Sequence, residues 1–359
     1  MIHGVNQAVV LAGGEGTRLR PLTNHRPKPL LPVLGRPCVE YTLRALAGAG
    51  IEKVFLACGF KSMDVVKALG DGKGLGLDLT YAFEEQPMGT AGAVKLLEDQ
   101  LDETFVVAMG DTLMDIDFEA VAREHQEKKA MVTIALTEVD KPTEFGIVGL
   151  GDDQRIMRFK EKPKQEEVFS NLINAGVYVI QREAFDFVPP DTKFDFSKNL
   201  FPLLMEEGRP LYGSLLRGLW KDIGRPQDLL DANIRMAERK GVERFIFGIK
   251  TEGRIYGGGF SGHGAELNGP AYVGDGVKLG EGTVVTRSAI GQGTVIEPST
   301  RIVDSLILSS CSIQRGACLE GSIVGDGCRI GGGVVLKRCI LGDNVVVEGP
   351  ATLEDMTIE

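Results

Sequence analysis

The chain has 359 residues, of which 43% are hydrophobic, so it is long enough for two domains with separate cores. Its formal net charge of −10 argues against nucleic acid as a partner, and no apolar run approaches the roughly 18 residues that cross a membrane. The N-terminus also lacks the charged and apolar regions of a signal peptide, so we expect a cytoplasmic protein.

The first predicted strand is the apolar run at residues 8–11, and a glycine-rich loop follows it. Gly13, Gly14 and Gly16 can place successive N–H groups against phosphate oxygens without a Cβ in the way. Between residues 14 and 36 there are five Lys or Arg and one Glu, so this stretch is basic in an acidic chain. The loop fits neither the P-loop nor the GxGxxG pattern. It predicts a binding site for a nucleotide triphosphate, and the alternative is an ordinary glycine-rich connection.

Short β-branched runs then alternate with amphipathic segments as far as about residue 235. This alternation predicts an α/β fold with a mostly parallel sheet. The predicted strands are 54–57, 105–109, 132–136 and 177–180, and the predicted helices are 39–49, 63–69, 90–101 and 118–128. Ligands of such sheets bind beyond the carboxyl ends of the strands, where both the glycine loop and Asp111 fall.

The C-terminal third repeats every 17 residues, with three aliphatic positions in each repeat. One series of positions 17 apart is Val273, Ile290, Ile307, Val324 and Leu341, and two further series begin at Leu279 and Val285. This period predicts a triangular coil whose aliphatic corners stack into internal ladders. The alternative is a β-rich domain with chance spacing. Cys311 and Cys328 are also 17 apart, which favours stacked thiols over a disulfide.

The string GGEGTRLRPLT at 13–23, followed by PKP at 27–29, strongly resembles the signature of sugar-1-phosphate nucleotidyltransferases. The GTAG string at 89–92 looks most like that of the mannose-1-phosphate guanylyltransferases, and the repeats resemble a hexapeptide-repeat left-handed β-helix. The resemblance implies a Rossmann-like catalytic domain at 1–240, a linker at 241–272 and a β-helix of five coils at 273–359.

The family's functional residues can be carried over to this chain position by position. The resemblance implies that Arg18 and Lys28 bind the triphosphate and that Asp111 and Asp222 bind Mg²⁺, with Arg18, Lys28 and Asp111 in catalytic roles. Hard oxygen ligands suit Mg²⁺, which takes few protein carboxylates and keeps waters and substrate phosphates. The expected nucleotide-binding residues are Ala12, Gly13, Gly14, Gly16, Thr17, Glu84, Gly89 and Thr90. The expected sugar-phosphate-binding residues are Gly146, Glu161, Lys162 and Asn174.

Base specificity depends on the segment EEQPMGTAGA at 84–93. Thymidylyl- and uridylyltransferases commonly carry glutamine five residues before the glycine, where this chain has Glu84. A carboxylate only accepts hydrogen bonds, and guanine presents two adjacent donors, so we favour guanine over a pyrimidine. Gln86 could take the same role after a small loop change, so the pyrimidine alternative stays open.

The expected reaction is attack of a sugar 1-phosphate on the α-phosphorus of a nucleoside triphosphate, with GTP and mannose 1-phosphate as substrates. Glucose-1-phosphate thymidylyl or uridylyl transfer is the nearest alternative. An acetyltransferase is also considered, because left-handed β-helices often use acetyl-CoA, but the only histidine after residue 125 is His263. A non-catalytic regulatory paralogue is the last alternative. The flat faces of the coil are suited to packing against a second subunit.

Overall fold

The computed structural model describes residues 4–59, 62–239 and 254–359. The chain forms two compact units, one made of Met1–Gly14 and Val39–Trp220, and the other made of Glu15–Cys38 and Lys221–Glu359. The second unit therefore contains the loop with Arg18 and Lys28 as well as the repeats. In this division the loop and the last helix before the repeats pack within the second unit, and the domain boundaries at 240 and 273 stay a prediction.

The first unit is built on a mixed β-sheet. The strands of this unit are β1 Gln7–Leu11, β2 Lys53–Cys58, β3 Asp78–Phe83, β4 Thr104–Met109, β5 Thr112–Ile116, β6 Val132–Glu138, β7 Gly146–Leu150, β8 Ile156–Glu161, β9 Leu172–Gln181, β10 Leu211–Leu215 and β11 Gly218–Asp222; the last two residues of β11 belong to the second unit. Nine of them form the sheet, in the order β8-β7-β9-β4-β1-β2-β3, with β6 paired to β9 and β10 to β6. Its central strands β4, β1, β2 and β3 are parallel, whereas β9 is antiparallel to β4 and β6.

Of the six α-helices in the described part of the chain, five belong wholly or almost wholly to this unit. They are α1 Cys38–Gly48, α2 Ser62–Leu69, α3 Gly89–Lys95, α4 Phe118–Lys128 and α5 Phe201–Glu206. The predicted helix at 90–101 is shorter than expected, since α3 ends at Lys95 and a 3₁₀ turn follows at Glu98–Gln100. The N-terminus of α4 is capped by Asp117, whose Oδ1 accepts a hydrogen bond from Ala120 N–H at 3.0 Å.

The core of the first unit lies beneath this sheet and is rich in aromatic rings. All five residues of β1 are buried, as expected for a strand between two parallel neighbours. The ring of Tyr178 lies 5.0 Å from the rings of both Phe196 and Phe201, measured between centroids. The Tyr178–Phe201 pair is edge-to-face, an arrangement that stabilises a core beyond its apolar area. Tyr178 belongs to β9, which also carries Asn174, and the Phe201 ring lies 5.8 Å from the ring of Phe159 in β8.

The second unit begins with the loop 15–38, which contains two 3₁₀ turns, Thr17–Leu19 and Lys28–Leu30, and a short hairpin. It continues with α6, Pro226–Glu238, which has proline at its first position and Asp228 accepting the Arg225 N–H at 2.9 Å. Asn233 joins α6 to the loop 15–38. Its Oδ1 accepts the Leu34 N–H at 2.8 Å, and its Nδ2 donates to Pro32 O at 3.2 Å.

The repeats form three all-parallel sheets of seven, six and five strands, as in a left-handed parallel β-helix. Strands at the same position in neighbouring coils pair with each other, for example Ile290 with Ile307 and Ile307 with Val324. The aliphatic corners predicted from the 17-residue period are buried in one core, except Leu353 of the last coil, which is partly buried. Cys311 and Cys328 lie in this core as free thiols, in agreement with the prediction of stacked thiols.

The predicted linker at 241–272 contains strands in its described part. Ile255–Gly257 pairs with Ala271–Val273, and Glu266–Asn268 pairs with Val284–Thr286. The coil therefore starts earlier than residue 273, and residues 240–253 lie outside the described ones. The repeat count missed this coil because its pairings are 16 and 18 residues apart instead of 17. Within the described residues, no helix is both long enough and apolar enough to cross a membrane.

Candidate active site

The carboxyl ends of β1 and β4 place the glycine loop beside Asp111. The two strands pair in parallel, with Leu11 opposite Met109, so the residues after them emerge at the same edge. A Cβ built on Gly14 would lie 3.7 Å from Oδ2 of Asp111. The Ala12 N–H donates to Ala57 O at 2.8 Å, which fixes the start of the loop on β2. In the first unit, the sequence prediction that Asp111 lies at the glycine loop is confirmed.

The predicted base-recognition segment follows β3 and leads into α3. Oε2 of Glu84 accepts a hydrogen bond from Met88 N–H at 3.2 Å, so the carboxylate also holds the turn that it belongs to. Partial burial raises the pKa of Glu84, and the bond from Met88 opposes that rise. Gln86 is exposed. A cavity of about 460 Å³ is lined by this segment and by α3.

Gly89 and Thr90 open α3, and both are held by the segment before α5. Gly89 has φ +74°, and a Cβ on it would lie 2.7 Å from Phe194 O, so only glycine fits there without strain. The Thr90 N–H donates to Oδ1 of Asp195 at 3.2 Å, and its hydroxyl accepts from Phe196 N–H at 3.0 Å. Thr90 therefore holds the start of α3 against the segment before α5.

Three of the four predicted sugar-phosphate residues meet around one glycine position. Gly146 of β7 pairs with Glu161 at the end of β8. A Cβ on Gly146 would lie 2.8 Å from Oε2 of Glu161 and 2.8 Å from the ring of Phe159, so glycine keeps this space open. Lys162 follows with φ +44°, and its N–H donates to Phe145 O at 2.9 Å. Burial is the main cause that raises the pKa of Glu161, and Lys162 and Lys198 oppose it.

Asn174, the fourth, lies at a register shift in β9 and is already engaged by the protein. Its Nδ2 donates to the Tyr178 hydroxyl at 3.0 Å and to Ser197 Oγ at 3.1 Å, and its Oδ1 accepts the Gly176 N–H at 2.9 Å. An amide oxygen has a second lone pair, so Oδ1 can still accept from a ligand hydroxyl. That Asn174 contacts the sugar stays a prediction.

The second group of site residues lies in the second unit, on the loop 15–38. Gly16 has φ +64° and a Cβ on it would lie 3.0 Å from Cβ of Lys28, so the two strings GGEG and PKP pack together. The Thr23 hydroxyl donates to Gly16 O at 2.8 Å. Thr17 begins the first 3₁₀ turn, and Pro27 stands before the second with φ −66°. These contacts fix the backbone that carries Arg18 and Lys28.

Lys28, Arg18 and Asp222 come together within this unit. The Lys28 side chain is 9% exposed, and its Nζ lies 3.9 Å from Oδ1 of Asp222. A Cβ on Gly224 would lie 2.8 Å from Oδ2 of Asp222 and 3.6 Å from Nη2 of Arg18. The buried ammonium and the carboxylate therefore lie within Coulombic reach of each other, and the exposed guanidinium is beside them.

Several residues at these places were missed by the sequence reasoning. Tyr178 and Ser197 support Asn174, Asp195 supports Thr90, and Trp220 donates from Nε1 to Ala175 O at 2.8 Å. The only available signal was the presence of Asp195 and Ser197 within an otherwise aromatic string, FDFSKNLF at 194–201.

Comparison with known proteins identifies the family of the chain. Residues 7–239 match the model of the family described as nucleotidyl transferase, and residues 267–358 match the GMPPB C-terminal domain. The chain is 35% identical to a mannose-1-phosphate guanylyltransferase of Mycobacterium tuberculosis over 278 residues, which cover 77% of both chains. It is 30% identical to a UTP–glucose-1-phosphate uridylyltransferase of Synechocystis, over 84% of this chain and 87% of that protein.

A solved structure has the same fold in its catalytic part. It comes from Bacillus anthracis and is named provisionally as a glucose-1-phosphate thymidylyltransferase in complex with a sucrose. It aligns with a TM-score of 0.58 and 28% identity, over 63% of this chain and 93% of that one. The chain belongs to the nucleotidyl transferase family. The two relatives compared above are both named as transferases of sugar 1-phosphates. Their names differ in the nucleotidyl group, which is uridylyl in one and guanylyl in the other.

The expected magnesium ion is compatible with the residues present. Among the described residues, no three His, Cys, Asp or Glu side chains form a group that could hold a metal ion. Mg²⁺ usually takes one or two carboxylates and completes its shell with water and substrate phosphates, so Asp111 in the first unit and Asp222 in the second are each a ligand of the kind it prefers. That both bind the same ion stays a prediction.

Proposed function

We propose that the protein transfers a guanylyl group from GTP to mannose 1-phosphate, forming GDP-mannose and pyrophosphate. The choice of guanine rests on Glu84, which occupies the position where thymidylyl- and uridylyltransferases commonly have the glutamine that recognises the base. It offers carboxylate acceptors, one of which is held by Met88 N–H. Guanine presents N1–H and N2–H₂ as neighbouring donors, which a carboxylate can accept together. The similarity to a mannose-1-phosphate guanylyltransferase over 77% of the chain supports the same choice.

The reaction needs alignment and charge neutralisation and no covalent intermediate. An oxygen of the sugar 1-phosphate forms a bond to the α-phosphorus of GTP, and the bond from that phosphorus to the oxygen bridging to the β-phosphate breaks. Pyrophosphate leaves with the bond's electron pair. Both reactants are anions, so cationic side chains and amide donors must hold them in line.

Each predicted side chain then has one task. Lys28 binds the α-phosphate, Arg18 binds the β- and γ-phosphates, and the N–H groups of the glycine loop bind phosphate oxygens. A magnesium ion held by Asp111 and Asp222 would neutralise phosphate charge. In the sugar site, Lys162 pairs with the sugar phosphate and Glu161 accepts hydrogen bonds from hydroxyls. Asn174 completes that site through the free lone pair of its amide oxygen.

One panel of assays tests the proposal. Pyrophosphate release is measured with GTP, UTP, dTTP, ATP and CTP, each with mannose, glucose and other sugar 1-phosphates, and the nucleotide sugar is identified by mass spectrometry. The proposal expects the highest kcat/KM for GTP with mannose 1-phosphate. A highest value with a pyrimidine nucleotide would overturn the choice of guanine, and no pyrophosphate release with any pair would overturn the enzymatic proposal.

A second candidate is uridylyl or thymidylyl transfer to glucose 1-phosphate. It is favoured by the Synechocystis relative, which aligns over a larger share of both chains than the guanylyltransferase does. Exposed Gln86 lies two residues after Glu84 and carries the amide that such a reaction would use. The same panel separates the two candidates.

A further inference from the structure

Arg26 lies on the loop 15–38, and two aspartates of the β-helix bind its side chain. Its Nη2 forms an ion pair with Oδ2 of Asp326 and lies 3.6 Å from Oδ2 of Asp343. The Arg26 side chain is 16% exposed and that of Asp343 is 8% exposed. A partly buried arginine between two carboxylates is more strongly held than a surface ion pair, because water screens it less. All three residues belong to the second unit.

The two aspartates occupy the same place in successive coils and are fixed by the backbone. Oδ1 of Asp326 accepts the Ser309 N–H at 2.6 Å, and Oδ1 of Asp343 accepts the Asp326 N–H at 2.9 Å. Both Oδ2 atoms are thereby directed to Arg26. The two preceding coils have Ser309 and Gln292 at this place, and the coil before those has Asp275, so the two coils that bind the arginine are the only neighbouring pair with a carboxylate at this place in both.

Arg26 is joined to Lys28 through a stiff connection. Pro27 has its φ set by the ring, and Lys28 begins the 3₁₀ turn in which Leu31 N–H donates to Lys28 O at 3.0 Å. Two residues span about 7 Å of chain, so a displacement of Arg26 is transmitted to Lys28. The same loop contacts the last coils at Pro21, which lies 3.1 Å from a Cβ built on Gly342.

We propose that Arg26 is a positioning residue for nucleotidyl transfer, and that Asp326 and Asp343 of the β-helix hold it so that the loop presents Lys28 and Arg18 to the triphosphate. This inference rests on the proposed roles of Lys28 and Arg18. It gives the β-helix a task in the reaction that does not depend on contact with substrate.

Three variants test the proposal in the full-length protein: R26Q, the double variant D326N/D343N, and the triple variant that combines them. We expect kcat/KM for GTP to fall about tenfold in each, because small displacements of aligning groups are costly. The triple variant should fall no further than R26Q, since all of them remove one interaction. KM for mannose 1-phosphate should stay within twofold, and R26K should recover part of the loss. The matched control is R338Q, because Arg338 also binds two acidic side chains, Glu354 and Asp355, entirely within the β-helix.

Amide hydrogen exchange supplies a readout that needs no substrate. Residues 17–31 should exchange faster in R26Q and in D326N/D343N, and at the wild-type rate in R338Q. Unchanged exchange in these residues would overturn the anchoring. Faster exchange with unchanged kcat/KM, or a loss of activity with unchanged exchange, would overturn the positioning role. If the wild-type protein released no pyrophosphate, the proposed function would be overturned. The exchange rates would still test whether the two aspartates anchor the loop through Arg26.

Discussion

Nζ of Lys28 lies 3.9 Å from Oδ1 of Asp222, and the lysine side chain is 9% exposed whereas the aspartate side chain is 30% exposed. The two residues come from distant segments of one compact unit. The ammonium group is thus fixed by a carboxylate that we assign to metal binding. Binding of a divalent ion by Asp222 would weaken its hold on Lys28 and leave the ammonium to pair with a phosphate.

Replacement of Lys28 by methionine should reduce nucleotidyl transfer and leave the fold intact. Methionine keeps most of the buried side-chain length and removes the charge. The loss of one positioned charge should cost about 3 kcal/mol in the transition state, or about 100-fold in kcat/KM. Steady-state pyrophosphate release measures it. K67M, at an exposed lysine of α2 that pairs with Asp64, is the control and should retain the wild-type rate. A K28M enzyme within threefold of wild type would contradict the assignment.

Replacement of Glu84 by glutamine should shift base preference away from GTP. The amide replaces one acceptor by a donor, so it opposes the guanine N1–H and N2–H₂ donors and suits a pyrimidine's O4 and N3–H. We expect the ratio of kcat/KM for GTP to that for UTP to fall about tenfold or more. The neighbouring E85Q variant, at an exposed position, should leave the ratio unchanged. An unaltered ratio in E84Q would mean that the base is read elsewhere.

The pH dependence of sugar-phosphate binding should report Glu161. Burial raises the pKa of this carboxyl above 4.5, so it is protonated at pH values where an exposed glutamate is ionised. A protonated carboxyl accepts hydrogen bonds less well, so KM for mannose 1-phosphate should rise as the pH falls through this raised pKa. E161Q should have a high KM with no such dependence, and E166Q, at an exposed site, should behave as wild type. A KM in wild type that rises only below pH 4.5 would count against the assignment.

Stability at acidic pH should depend on His125, a buried residue of α4. Its Nδ1 is 3.0 Å from the Thr133 hydroxyl and its Nε2 is 3.1 Å from Gln181 Nε2, and burial lowers its pKa to about 4. In the unfolded chain this histidine takes up a proton near pH 6.5, whereas in the folded protein it stays neutral down to about pH 4. Its contribution to the free energy of unfolding is therefore complete above pH 6.5 and is lost as the pH falls towards 4. At about 1.4 kcal/mol per pH unit, the loss is on the order of 3 kcal/mol.

Urea unfolding between pH 7 and pH 4 measures this loss. The free energy of unfolding of H125Q should vary less with pH than that of wild type, by most of this amount. H263Q, at an exposed histidine, is the control and should follow wild type. Equal pH dependence in H125Q and wild type would refute the assignment.

The β-helix could be predicted in detail from sequence because each coil repeats the same local requirement. An aliphatic side chain at every corner is the condition for stacking, and the corners from Val273 to Val347 are buried as expected. The first coil was missed, since its pairings depart from the period. The strand–helix alternation likewise predicted β1, β2 and β4 and placed Asp111 at the edge where the glycine loop emerges.

The place of the loop 15–38 could not be predicted, because it depends on pairs that are distant in sequence. Arg26 and Asp326 are 300 residues apart, and no periodicity or local motif links them. The support of Asn174 by Tyr178 and Ser197 was missed for a different reason, since it depends on a register shift in β9 and on a π-helical turn at Phe196–Leu200, which no sequence pattern indicated. Local patterns specify elements, whereas these contacts arise from tertiary packing.

The central proposal is that Asp111 and Asp222 together bind one magnesium ion that supports nucleotidyl transfer. Its most direct test is pyrophosphate release from GTP and mannose 1-phosphate as a function of Mg²⁺ concentration, in wild type, D111N and D222N, with thermal unfolding as the control of folding. The account predicts saturable Mg²⁺ dependence in wild type, a loss of about 100-fold or more in kcat in each variant, and melting temperatures within a few degrees. Wild-type kcat with wild-type Mg²⁺ dependence in either variant would contradict it.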